Sequence, residues 1–229
     1  MRPRPRLVSF DAGGVLLFPN WGRVSAALAR VGVQVSAEAL ARADAPAKFE
    51  MDHPAVVGAT NNAGHGFQYF SCLLAAAGVD LEGDPEDIID VLKAENADRN
   101  LWNLKAADAD GVLERLRASG TRLIVVSNSD GRLRSLLDEA GLSGHFDAIV
   151  DSHVVGAEKP DRAIFDGALA AVGIPAEEAV HVGDFYTIDV VGARNAGMVP
   201  VLLDPAGLHV SRDCARIASL RELPALLDA

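Results

Sequence analysis

The chain has 229 residues, 49% hydrophobic and 23% charged, with a formal net charge of −11. That balance is globular and excludes a disordered chain, and no apolar run approaches the roughly 18–20 residues a membrane-spanning helix requires. The acid surplus repels nucleic acid and anionic membrane surfaces, so neither is an expected partner.

The chain opens on the basic stretch Met1-Arg2-Pro3-Arg4-Pro5-Arg6, with no signal-type apolar segment after it. The first element is the apolar run Leu7-Val8-Ser9-Phe10, stopped by Asp11 and the pair Gly13-Gly14. Apolar β-formers ahead of a glycine pair predict a buried strand that turns abruptly. From Trp21 onward the spacing is helical. Trp21–Val31 carries apolar residues on one face, Ser36 caps a helix running to about Met51, and Phe67–Ala77 and Pro85–Asn96 follow. A Gly/Asn-rich connection, Gly58–Gly66, separates the second helix from the third. With no strand pattern in it, 19–99 reads as a separate helical subdomain.

Beyond Asn100 helix and strand alternate. Asp108–Ala118, Leu133–Ala140, Arg162–Val172 and Ile188–Asn195 are expected helices. Arg122–Val126, Phe146–Val150, Ala179–Val182 and Val199–Leu203 are expected strands. Short strands joined through helices predict a Rossmann-like parallel sheet in a three-layer α/β/α core, with the carboxyl ends of the strands at one edge. Cys72 and Cys214 are too few for a disulfide framework, which suits a reducing, cytoplasmic compartment.

Polar residues recur at those carboxyl ends. Asp11 follows the first strand, Ser127-Asn128 the second, and Gly183-Asp184 the fourth, with Asp189 five residues on; Lys159-Pro160 precedes a helix. Taken singly, each could cap a turn or sit in solvent. As a set they put carboxylates, a hydroxyl and an amine at one sheet edge, where open α/β sheets bind ligands. Converging carboxylates need a cation, and an oxygen-rich site beside a phosphate suits Mg²⁺.

In this order, Phe10-Asp11-x-x-Gly14-Val15-Leu16, Ser127-Asn128, Lys159-Pro160 and Gly183-Asp184 with Asp189 resemble the four signatures of the haloacid dehalogenase-like (HAD) hydrolase superfamily. The helical insertion resembles the cap of its phosphoglycolate phosphatase-like branch, and His181–Asp184 through Gly192–Met198 is a close match. The resemblance implies a core of residues 1–18 and 100–229, a cap of residues 19–99, and a small phosphate ester as substrate. Asp11 would be the nucleophile, forming an aspartyl-phosphate. Mg²⁺ would be held by Asp11, the Gly13 carbonyl and Asp184, with Asp189 a ligand or standing behind one. Ser127 would bind a phosphoryl oxygen, Lys159 would neutralise charge and orient Asp11, and Asn128 would steady the turn or reach the substrate. The oligomeric state is left open.

There is one departure from the pattern. HAD phosphatases usually carry a second Asp two residues after the nucleophile, as the general acid and base; here that position is Gly13. Its loss is worth roughly 10²–10⁴ in rate. Aryl and acyl phosphates, with good leaving groups, would tolerate the loss better than alkyl esters. His53 or His65 could supply the proton from the cap, although a solvated loop histidine fits either position. Lys48 could act as a cap lysine, although a surface lysine fits it as well. Two functions are therefore expected: a Mg²⁺-dependent phosphatase with a relocated or weakened acid–base group, or a nearly inactive phosphate-ester-binding protein on the same fold.

Overall fold

The computed structural model describes residues 4–52, 62–79 and 85–228. The chain divides into two compact units, one running up to Phe18 and from Lys105 onward, the other Pro19–Leu104.

The first unit is built on six strands: β1 (Leu7–Phe10), β4 (Arg122–Ser127), β5 (Ala148–Asp151), β6 (Ala179–Gly183), β7 (Val199–Leu203) and β8 (Ala215–Ile217). They lie in the order β5-β4-β1-β6-β7-β8, every pair parallel. The connections run outward from β1 in both directions, so the strand order reverses at its carboxyl end. Such a reversal opens a crevice there.

Side-chain alternation along β1 divides the core in two. Val8 and Phe10 join Leu123, Val125, Val180 and Val182 on one face, covered by α5 (Ala109–Ala118), α6 (Leu133–Glu139) and α10 (Leu223–Leu227). Leu7 joins Ile124, Val126 and Ala179 on the other, covered by α8 (Arg162–Val172) and α9 (Val191–Asn195). α8 starts where the Asp161 carboxylate accepts from Ala163 N–H and ends at Gly173, which takes the left-handed conformation. Between β5 and α8 lies the short α7 (Ser152–Val155).

Three expectations change here. The helix expected over Ile188–Asn195 is regular only from Val191 to Asn195, and a wide π-helical turn, Tyr186–Val190, precedes it. β8 was not expected from the sequence, and β2 (Leu17–Pro19) and β3 (Trp102–Lys105) form a further two-stranded sheet.

The second unit contains α1 (Trp21–Ala29), α2 (Ala37–Met51), α3 (Asn62–Ala76) and α4 (Pro85–Asp98). Ser36 caps α2 as expected, accepting from Ala39 N–H at 3.1 Å. α3 begins inside the stretch expected to be a connection. Arg23 of α1 ties down α4, its guanidinium bonding Glu95 at 2.7 Å and the carbonyls of Glu95, Arg99 and Asn100. Among the described residues, no helix is long and apolar enough to cross a membrane.

Candidate active site

β1 runs into the crevice and delivers Asp11 just past its end. Asp11 N–H still donates to Val182 O on β6 at 2.8 Å, so the sheet ladder fixes its backbone. The chain then turns sharply. Ala12 O accepts from Leu16 and Leu17 N–H at 2.9 and 2.8 Å, and Gly14 takes the left-handed conformation, with φ of 77°. Gly13 is not among the left-handed glycines.

Lys159 Nζ lies 2.8 Å from Asp11 Oδ1 and 2.6 Å from Asp189 Oδ1, with its side chain only 1% exposed. Its position is set from the backbone. Asn128 Oδ1 accepts from Lys159 N–H at 2.8 Å, while Asn128 Nδ2 donates to Lys159 O at 2.9 Å. Both ends of the Asn128 amide are therefore spent on Lys159. Ser127 is buried at the end of β4, opposite Asp151 of β5.

Asp189 accepts at both oxygens. Oδ1 takes Lys159 Nζ and His181 Nε2, the latter at 3.2 Å, and Oδ2 takes Phe185 N–H at 3.0 Å. Its close seat against β6 explains the glycine of Gly183-Asp184: a Cβ on Gly183 would fall 2.1 Å from Asp189 Cγ.

Burial alone would strip the charge from Lys159, but the carboxylates of Asp11 and Asp189 outweigh it and hold its pKa above the ordinary lysine value. Burial likewise pulls Asp189 upward, and Lys159 with His181 overrides this to keep it below the usual carboxylate range. For His181 burial wins, and its pKa is lowered despite Asp189. Sequence reasoning missed His181 and its partner Ser9. A lone histidine inside an apolar strand was the available signal.

Asp184 completes the cluster. One oxygen from each of Asp11, Asp184 and Asp189 lies within 4.8 Å of the others, and all three residues are buried. An all-carboxylate donor set is hard, and three clustered acids, two of them paired with one ammonium, leave a negative charge that a divalent cation would neutralise, so these residues fit Mg²⁺.

The cap candidates fare differently. Lys48 is not a surface lysine: it pairs with Asp44 at 2.9 Å with its side chain 13% exposed, and Asp44 also accepts from Tyr69 Oη. His53 and the side chain of His65 lie outside the described residues.

A family model for haloacid dehalogenase-like hydrolases matches residues 5–197. The chain is 41% identical over 125 residues to haloacid dehalogenase-like hydrolase domain-containing protein 3 of Danio rerio, covering 53% of this chain and 52% of that protein. It is 36% identical over 146 residues to phosphoserine phosphatase of Thermus thermophilus, covering 62% of this chain and 58% of that one. The chain thus spans about half the length of the curated relatives it matches. The crystal structure of a HAD phosphatase from Thermococcus onnurineus superposes with a TM-score of 0.61 at 25% identity, covering 97% of both chains. With the sheet order, the site and the family match over most of its length in agreement, the chain belongs to the haloacid dehalogenase-like hydrolases.

Proposed function

We propose that the chain is a Mg²⁺-dependent phosphatase that hydrolyses a small phosphorylated metabolite through an aspartyl-phosphate on Asp11. The observation that carries this reading is the buried ammonium of Lys159 shared between Asp11 and Asp189, with Asp184 beside them. A relative named as a phosphoserine phosphatase supports the same chemistry. We take the helical unit, Pro19–Leu104, as the cap subdomain.

Asp11 Oδ1 accepts from Lys159 Nζ and, at 2.8 Å, from Ala12 N–H. With Oδ1 engaged by those two donors, Oδ2 would be the oxygen that attacks phosphorus. The Oδ2–P bond forms as the P–O bond to the leaving group breaks, and the leaving oxygen departs with the electron pair. Water then attacks phosphorus, the P–Oδ2 bond breaks with its electron pair returning to the Asp11 carboxylate, the water proton passes to solvent, and inorganic phosphate is released. Lys159 neutralises charge as it develops, and Ser127 would donate to a phosphoryl oxygen. Asp11, Asp184 and the Gly13 carbonyl would hold Mg²⁺, with Asp189, already bonded to three donors, behind them. Bound there, the ion supplies Lewis-acid screening between the anionic carboxylate and the anionic phosphate.

Gly13 has no group to protonate a leaving alkoxide. The favoured substrates are therefore phosphates whose leaving oxygen needs no proton, such as aryl and acyl phosphates. The same glycine favours the second reading, a phosphate-ester binder that turns over slowly.

An aryl phosphate assay with and without Mg²⁺ tests the proposal. The wild type should require Mg²⁺, Asp11→Asn should abolish turnover, and Gly13→Asp should raise turnover of alkyl phosphates more than aryl. Position 13 imposes no left-handed backbone on a side chain. A wild type inactive on a broad phosphomonoester panel, yet binding one member tightly, would replace the phosphatase with the binder.

A further inference from the structure

Two buried polar residues have no place in the mechanism above. Ser9 on β1 lies opposite His181 on β6, and neither has any exposed surface. By strand alternation both belong to the face that carries Leu7 and Ala179, and the ring of Phe165 from α8 packs edge-on against His181 at 4.9 Å. An apolar pair would fill this layer without burying polar atoms. The sequence instead places a hydroxyl and an imidazole there, and both are fully used.

His181 Nδ1 lies 2.9 Å from Ser9 Oγ, and Nε2 lies 3.2 Å from Asp189 Oδ1. A carboxylate paired with Lys159 only accepts, so Nε2 carries the hydrogen and donates to Asp189. The lone pair of Nδ1 then takes the Ser9 hydroxyl hydrogen. The result is a directed chain: Ser9 Oγ–H to His181 Nδ1, and His181 Nε2–H to Asp189 Oδ1. The oxygen at its end is the one bonded by Lys159, whose Nζ also holds Asp11. Of the three donors on Asp189, His181 is the one rooted in the centre of the sheet. Partners behind metal-site ligands orient them in the same manner.

We propose that His181, locked by Ser9, is a positioning residue that fixes the Asp189 carboxylate and through it the placement of Lys159 against Asp11. Its kinetic consequence rests on the phosphatase reading; its effect on metal affinity does not.

The test compares His181→Leu, which fills the apolar layer but cannot donate, with His181→Gln, whose amide N–H can reach Asp189. Both are measured in the full chain for Mg²⁺ affinity by calorimetry, for kcat and KM with an aryl phosphate, and for melting temperature. The Leu variant should lose roughly 10–100-fold in Mg²⁺ affinity and in kcat with KM little changed, and Gln should recover most of both. If Leu and Gln behave alike, or if activity follows melting temperature alone, His181 is only core packing and the proposal falls. Should the Leu variant fail to fold, Ser9→Ala takes its place and should show the same kcat-selective loss; wild-type values there would overturn the proposal. A wild type that binds Mg²⁺ without turnover sinks the phosphatase reading but leaves the affinity comparison decisive. A wild type that does neither overturns both.

Discussion

At the scale of single residues, Lys159 decides whether the acids at this edge can coexist. Its side chain is 1% exposed and bridges Asp11 and Asp189 at 2.8 and 2.6 Å. Removing one partner from a buried ion cluster leaves charge without compensation, at a cost of about 3–5 kcal/mol. Lys159→Met should therefore lose about that much unfolding free energy near neutral pH in the metal-free protein, as read by urea denaturation. The pH dependence has a definite sign. In the wild type, Asp189 titrates below its unfolded value, so its contribution is complete above about pH 4 and fades as pH falls through the folded value. Lys159 titrates above its unfolded value, so its contribution is complete below about pH 10 and fades as pH rises through the folded value. In Lys159→Met the buried carboxylates lose the ammonium and take up protons at higher pH, so the variant gains stability on acidification. The gap between wild type and variant should narrow as pH falls from about 7 toward 5. A constant or widening gap would contradict this account of the cluster. Asp11, Lys159, Asp184 and Asp189 were legible in the sequence because acids and an amine beside Gly or Pro at strand ends are hard to explain as packing. His181 was not, because the partner that gives it a role lies eight residues away across the π turn.

At the scale of elements, the approach of β6 to the π turn is the tightest constraint. Gly183 has no room for a side chain, since a Cβ would lie 2.1 Å from Asp189 Cγ and 2.3 Å from its Cβ. Gly183→Ala should cost about 1–3 kcal/mol of stability by overpacking. Because the clash displaces Asp189, the variant should also lose Mg²⁺ affinity by calorimetry; unchanged affinity would mean that Asp189 tolerates displacement. A second constraint holds Lys159 through the two bonds between Asn128 and its main chain. Asn128→Ala should lose about 1–3 kcal/mol, checked by thermal unfolding. Parallel strands and α8 could be read from runs of apolar residues between turn signals. The π turn could not, because its Asp189 and Val190 N–H groups both close on Phe185 O and leave no side-chain period to detect. β8, only three residues long, is shorter than any pattern that alternation can mark.

At the scale of the whole molecule, an acidic chain with a net charge of −11 must draw an anionic substrate by local means. Here these are one buried lysine and a nest of carboxylates fit for Mg²⁺. Ion binding to the folded state alone should raise the melting temperature, with about 2.7 kcal/mol gained at a hundredfold excess over Kd. Asp184→Asn should abolish that gain, and a gain that survives would place the ion elsewhere. The central claim is that Asp11 itself carries the phosphoryl group, and loss of the acid–base side chain at Gly13 makes that species easier to catch, since water attacks it without a positioned base. The direct measurement is to mix the protein with Mg²⁺ and an aryl or acyl phosphate, quench, reduce with borohydride, and sequence the peptide spanning β1 by mass spectrometry. The account predicts homoserine in place of aspartate at position 11; a peptide unchanged there, while phosphate is still being released, would contradict it.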